Sequence, residues 1–290
     1  MSQACLLQPG VQALPGYWLH LPLGRGGCGE VWEAHTDAGP VALKFVRVKN
    51  TASATREIRS TEAIRRLRHP NLLRVEQVFL VSGYVVIAME LADGSLADVL
   101  QIYTTDEGHA LPADVACQYL TQAADGLDFL NSPRHAHDGR IVAFQHGDVK
   151  PSNMLLCGET IKLADFGLSS AMTYGLERHG RRGTLDFAAP EIFRGQLSDR
   201  SDQYALAVSY CVLRGGRMPF DNTPSHFTPS YTRGHPDLTM LSAAERPIVA
   251  RALSVSPVHR WSNCRQLMDR LSEVADGAVT GSHPDGTVYA

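Results

Sequence analysis

A glycine cluster, Gly24-Arg25-Gly26-Gly27-Cys28-Gly29, lies between two strand-like runs, Tyr17–Leu23 and Glu30–His35. Glycine lets backbone amides approach an anion that a Cβ would hold off. Three antecedents produce the G-x-G-x-x-G spacing: a dinucleotide fold, a nucleoside triphosphate loop, or a plain turn. Here a strand follows instead of a helix, which argues against the dinucleotide reading. The G-K-[ST] ending of a P-loop is also missing. A third apolar run, Val41–Val48, follows the turn signal Asp37-Ala38-Gly39-Pro40. Strand, glycine loop, strand, turn and strand make an antiparallel meander.

The rest of the chain divides at Gly94. Residues 1–16, with Pro9, Gly10, Pro15 and Gly16, read as an irregular lead-in. Arg56–Leu67 reads as a helix stopped by His69-Pro70-Asn71. Val75–Val81 and Tyr84–Leu91 are strands around Ser82-Gly83, which gives a five-stranded antiparallel sheet with one helix. Beyond Gly94, Val115, Tyr119, Ala123, Leu127 and Leu130 recur at helical spacing. Asn153–Cys157 and Thr160–Leu163 form a short hairpin about Gly158-Glu159. Ser201–Leu213, Ser242–Leu253 and Asn263–Val274 read as helices. The expectation is an α+β, bilobal fold: a small β-rich lobe over residues 17–92 and a larger helical lobe over 93–276. The polar, turn-rich stretch 277–290 is expected to be a disordered tail.

Composition narrows the function classes. Of 290 residues, 44% are hydrophobic and 20% charged, which argues against wholesale disorder. A formal charge of −3 supplies no strong positive field, so neither nucleic acid nor an anionic membrane is an expected partner. No run of about 18 apolar residues predicts a membrane span. Six cysteines without a C-x-x-C pair suggest free thiols in a reducing compartment. A cytoplasmic location is the default expectation.

Four further segments carry chemistry. Lys44, in Val41-Ala42-Leu43-Lys44, is expensive to bury in an apolar strand unless it meets an anion. His146-Gly147-Asp148-Val149-Lys150-Pro151-Ser152-Asn153 packs an acid, a base and an amide before a short strand. Asp165-Phe166-Gly167 places a carboxylate at a strand end, which suits a hard cation such as Mg2+. Ala189-Pro190-Glu191 follows.

In order and spacing, these five motifs resemble the eukaryotic-type (Hanks-type) serine/threonine protein kinase family, in a bacterial, planctomycete-like style. The resemblance covers roughly residues 17–276 and implies ATP and Mg2+. Gly24, Gly26, Gly27, Cys28 and Gly29, with Val31 behind them, would cover the phosphates and adenine. Lys44 would contact the α- and β-phosphates. Ala42 and Leu155 would sandwich the adenine, Met89 would sit behind it, and the backbones of Glu90 and Ala92 would bind its edge. Asp148 would accept the proton of a substrate hydroxyl. Lys150 would steady the γ-phosphate, and Asn153 and Asp165 would hold Mg2+. Thr184 would hydrogen-bond Asp148 and Lys150, Glu191 would pair with Arg260, and Asp202 would hold the catalytic-loop backbone. Lys150, two residues after Asp148, points to Ser and Thr hydroxyls of protein substrates, autophosphorylation included. Two other readings stay open: a pseudokinase, which binds or scaffolds without catalysis, and a small-molecule kinase of similar fold.

The chain departs from the family pattern in places. Two helix glutamates, Glu57 and Glu62, compete to pair with Lys44. They lie about 140° apart around a helix, so only one faces the cleft, and Glu57 matches the local pattern better. Gly147 replaces the arginine that receives a phosphorylated activation loop, so the site is expected to assemble without that phosphate. Cys28 stands where an aromatic is usual. His135 and His137 form an H-x-H in a long connection, Asn131–Phe144, and read as loop residues in preference to metal ligands.

Overall fold

The computed structural model of the chain describes residues 7–26, 29–137, 139–165, 185–221, 223, 228 and 230–280. The smaller lobe is an antiparallel sheet of strands β1 (Gln12–Leu14), β2 (Tyr17–Gly26), β3 (Gly29–Thr36), β4 (Gly39–Arg47), β5 (Val75–Val81) and β6 (Tyr84–Glu90). Their order is β1-β2-β3-β4-β6-β5. The sheet therefore has six strands where the sequence suggested five. The extra strand lies in the expected irregular lead-in, where Leu14 is buried and pairs with Tyr17 across the Pro15-Gly16 turn.

Strand β4 shows why the glycine hairpin and the lysine share a lobe. Val41, Leu43 and Phe45 enter one apolar cluster with Trp32, whereas Ala42 enters another with Ile87 and Met89. Residues two apart share a face of a strand, so Lys44 lies on the Ala42 face. Helix α1 (Thr51–Arg65) crosses that side. It begins before the expected Arg56 because Asn50 caps it: Ser53 N donates to Asn50 Oδ1 at 2.9 Å, and Asn50 N donates to Ser53 Oγ at 3.1 Å.

The larger lobe is built on α2 (Leu96–Ile102), α3 (Ala113–Asn131), α4 (Ser201–Gly215), α5 (Glu245–Ala252) and α6 (Cys264–Thr280). Leu120, Ala123, Leu127 and Leu130 of α3 are fully buried at helical spacing. Strand β7 (Gly94–Ser95) pairs with β10 (Met154–Cys157), which pairs with β11 (Thr160–Leu163). In the long connection after α3, β8 (His135–His137) and β9 (Arg140–Val142) form a hairpin that the sequence reading missed. Helix α6 runs four residues past the expected boundary at 276, so the start of the expected tail is helical. No helix among the described residues is long and apolar enough to cross a membrane.

Candidate active site

Between the lobes lies a cleft of about 520 Å³. Its upper wall is Gly24, Val31 and Ala42, its back Met89, Glu90 and Ala92, and its floor Asn153, Leu155 and Asp165. These nine residues were all expected at the nucleotide site. Gly26 and Gly29 face each other at the tip of the β2–β3 hairpin. A Cβ on Gly29 would lie 1.9 Å from the Phe45 carbonyl oxygen at φ +129°, so only glycine fits there. Gly27, Cys28 and Thr184 lie outside the described residues.

The sheet delivers Lys44 and β11 delivers Asp165, and the two form an ion pair. Asp165 has φ +56°, a left-handed conformation uncommon outside glycine. Desolvation pushes its pKa up. The charge and hydrogen bond of Lys44, with His146 and Lys150 behind, outweigh that and hold it below the ordinary carboxylate value. Lys44 is itself buried, which an ammonium tolerates only beside an anion.

Asp148 lines a neighbouring hollow with Gln145 and Gly147 and is linked to the cleft through Asn153. Lys150 Nζ donates to Asp148 Oδ2 at 2.9 Å, and Asn153 Nδ2 donates to the same oxygen at 3.0 Å and to the Asp148 carbonyl at 2.8 Å. Both donors meet Oδ2, so Oδ1 is left to accept a proton. Asn153 commits its NH2 group to Asp148, which leaves its amide oxygen for a cation. That oxygen and the Asp165 carboxylate form a hard-donor set that fits a divalent metal such as Mg2+.

The catalytic segment is pinned from below. Buried Asp202 accepts from His146 N at 2.8 Å and from Gly147 N at 2.9 Å, as expected. Gly147 has φ +72°, which favours glycine over the arginine usual there. His146 is fully buried, and desolvation lowers its pKa despite the nearby carboxylates. It packs in the core, as expected, with its Nδ1 accepting from Asp148 N at 3.3 Å. Arg260 grips Glu191 with two hydrogen bonds of 2.7 Å, the expected brace.

The helix glutamates separate. Glu62 pairs with Arg65 at 2.9 Å and lines a different hollow with Arg59, Arg66 and His135. It does not face the cleft. A Lys44–Glu57 pair is not among the ion pairs of the described residues either, since Lys44 pairs with Asp165. His135 Nε2 donates to the Phe129 carbonyl, 2.8 Å away, and the ring is buried against Phe129 and Phe144. It is a packed side chain.

Two positioning residues escaped the sequence reading. Asn71 Nδ2 donates to the Ile161 carbonyl at 2.9 Å, and Leu163 N donates to the Asn71 carbonyl at 2.9 Å. Asn71 thus anchors the strand that presents Asp165. Buried Arg233 donates to the carbonyls of Leu185, Asp186 and Ala188 at 2.6, 2.7 and 2.9 Å and lies over the Phe220 ring. It holds the segment entering Ala189-Pro190-Glu191. The Asn71 signal was present in the His69-Pro70-Asn71 stop, whereas a lone arginine in an irregular stretch gives none.

Fold and site together define a class: bilobal proteins that bring a lysine, two carboxylates and an amide together at the junction of the lobes. A model of the protein kinase domain matches residues 17–273. CBL-interacting protein kinase 4 of Oryza sativa subsp. japonica is 34% identical over 263 residues, covering 86% of this chain and 55% of its own length. Serine/threonine-protein kinase PknF of Mycobacterium tuberculosis is 30% identical over 295 residues, covering 94% and 58%. Serine/threonine-protein kinase PknI of Mycobacterium bovis is 30% identical over 285 residues, covering 93% and 44%. The chain belongs to the protein kinase family, and it spans about half the length of the curated relatives it matches.

Proposed function

We propose that the chain is an ATP-dependent serine/threonine protein kinase that transfers the γ-phosphoryl group of ATP to Ser or Thr hydroxyls of proteins. The observation that carries this reading is the paired geometry of Asp148 and Asp165. One carboxylate has an oxygen held by Lys150 and Asn153 and an oxygen left over, and the other sits against Lys44 in a cleft that Asn153 also lines.

Phosphoryl transfer leaves a protein little covalent work. It requires a hydroxyl aimed in line and positive charge where negative charge develops. Asp148 Oδ1 takes the hydroxyl proton while Lys150 and Asn153 stop the carboxylate from turning. Lys44 holds the α- and β-phosphates, and Lys150 swings between Asp148 and the γ-phosphate. Gly24, Gly26, Gly27, Cys28 and Gly29 cover the phosphates, and Val31, Ala42 and Leu155 enclose the base. Glu90 N already donates to the Arg74 carbonyl at 3.1 Å, so its contact with the base edge is through its own carbonyl. Bound at Asn153 and Asp165, Mg2+ would neutralise charge on the phosphate oxygens. Glu57 is the helix glutamate assigned to Lys44 when nucleotide draws that side chain from Asp165, and Thr184 is assigned to orient Asp148 and Lys150. The serine/threonine-kinase names of the relatives support the substrate class.

The test is radiolabelled Mg-ATP with the chain alone and with a generic basic protein, followed by acid hydrolysis of the labelled product. Label on phosphoserine or phosphothreonine that Asp165→Asn abolishes supports the proposal. ATP binding without any transfer would make the chain a pseudokinase, and label on phosphotyrosine would overturn the substrate class.

A further inference from the structure

The outer face of the small lobe carries three side chains that the phosphotransfer site does not use. Leu19 of β2 is directly opposite Ala34 of β3, and both point into the core at 1% and 0% exposure. Side chains alternate along a strand, so His20 on β2 and Glu33 and His35 on β3 all emerge on the opposite, solvent side. Glu33 and His35 are two apart on one strand, and His20 is their cross-strand neighbour.

One ligand-capable atom from each of His20, Glu33 and His35 lies within 4.8 Å of the others. His35 Nε2 is 3.1 Å from Glu33 Oε1. The two imidazole rings lie 4.5 Å apart, centroid to centroid, with a tilt of 31°. In a tetrahedral zinc site, bonds of about 2.0–2.1 Å put neighbouring donor atoms about 3.3 Å apart. The Glu33–His35 edge, at 3.1 Å, is close to that length, and His20, within 4.8 Å of both, would have to draw nearer to complete the set. Neither ring nitrogen of His20 has a hydrogen-bond partner among the described residues.

We infer that His20, Glu33 and His35 form a binding site for a divalent transition metal of the zinc class. Two imidazoles and one carboxylate make a three-ligand set that leaves a fourth position to water. Imidazole donors select zinc-like ions, whereas Mg2+ and Ca2+ prefer all-oxygen shells. The site is thus chemically distinct from the Asn153–Asp165 pair. Its place in the fold gives it a consequence. The metal ties β2 to β3, the strands between which the glycine loop is strung, with His20 only four residues before Gly24. A metal bound to the folded hairpin and absent from the unfolded chain stabilises the fold by mass action.

The experiment uses the untagged chain, so that no polyhistidine tail competes. Equilibrium dialysis against Zn2+, with metal quantified, compares the wild type with the His20→Ala/His35→Ala double variant and with Glu33→Gln. All three positions lie on the solvent side, and far-UV circular dichroism verifies that the variants fold. The expected result is one equivalent more Zn2+ in the wild type than in the double variant. Glu33→Gln should bind at least about tenfold more weakly, since losing a ligand costs no less than losing an outer-sphere partner. Co2+ should give the visible bands of a tetrahedral centre in the wild type only. Zn2+ should raise the wild-type Tm and not that of the folded double variant, with excess Mg2+ failing to displace it. Equal Zn2+ binding by wild type and folded double variant would overturn the site, and so would displacement by Mg2+.

Discussion

Lys44 and Asp165, 121 residues apart in the chain, meet as an ion pair across the cleft. The pair explains how a lysine is tolerated in an apolar strand and why the carboxylate stays ionised. A bound triphosphate and its cation would take over both charges, so the ion pair pre-positions the two groups that the ligand then separates. Replacing Lys44 by Met should leave the fold intact and cut kcat/KM for ATP by roughly 10²- to 10³-fold, the scale of losing one preorganised electrostatic group. Steady-state phosphotransfer with circular dichroism as a folding control makes the measurement.

Glu191 and Arg260 are a structural counterpart of that pair. Their side chains are 5% and 0% exposed, and Ser201 Oγ adds a hydrogen bond to Glu191 at 2.8 Å. Breaking a buried pair by removing one partner strands a charge, typically at a cost of about 3–5 kcal/mol. Glu191→Met and Arg260→Met should each destabilise by that amount in urea unfolding. The double variant Glu191→Met/Arg260→Met should cost less than the sum of its singles, because no charge remains buried.

Glu245 makes stability depend on acid. Burial pushes its carboxyl up, but hydrogen bonds from Arg214, Tyr210 and Ser242 hold its pKa down at about 2. A depressed folded-state pKa stabilises the protein above the ordinary carboxylate value, and that gain drains away as pH falls from about 4.5 toward 2. The full effect is on the order of 3 kcal/mol. The unfolding free-energy gap between wild type and Glu245→Gln should be widest at pH 7 and should shrink at pH 3.

Gly147 carries a backbone prediction. At φ +72° an alanine pays the left-handed penalty of about 1–2 kcal/mol. Gly147→Ala should lower the unfolding free energy by that amount. Because no arginine stands there to receive a phosphate, alanine at Ser169, Ser170, Thr173 and Tyr174 should leave transfer activity within a few-fold of wild type. Activity that vanishes with any one of them, and that phosphate restores, would contradict this.

The chemistry was more legible in the sequence than the architecture around it. Asp148, Lys150 and Asn153 share one short segment, so their convergence follows from local chain geometry. The Glu191–Arg260 and Asp202 contacts were legible only through the resemblance, because nothing in composition marks residues 69 apart as partners. Strand β1 was missed because a three-residue strand is too short to show alternation. The true start of α1 was hidden in Thr51–Thr55, where β-branched and small residues mask a helix that Asn50 and Ser53 secure by capping. Arg233 and the approach of His20 to Glu33 and His35 depend on tertiary contact, which no spacing along the chain encodes. The choice between Glu57 and Glu62 was narrowed only when Glu62 proved to face a separate hollow.

The role of Asp148 as proton acceptor is the centre of the account, and the single-turnover rate of Asp148→Asn with saturating Mg-ATP tests it most directly. Asparagine keeps the shape and the Asn153 contact but removes the base. The predicted result is a fall in the transfer rate of roughly 10²- to 10⁴-fold with ATP affinity unchanged within a few-fold. A variant that binds ATP and transfers phosphate at the wild-type rate would contradict it.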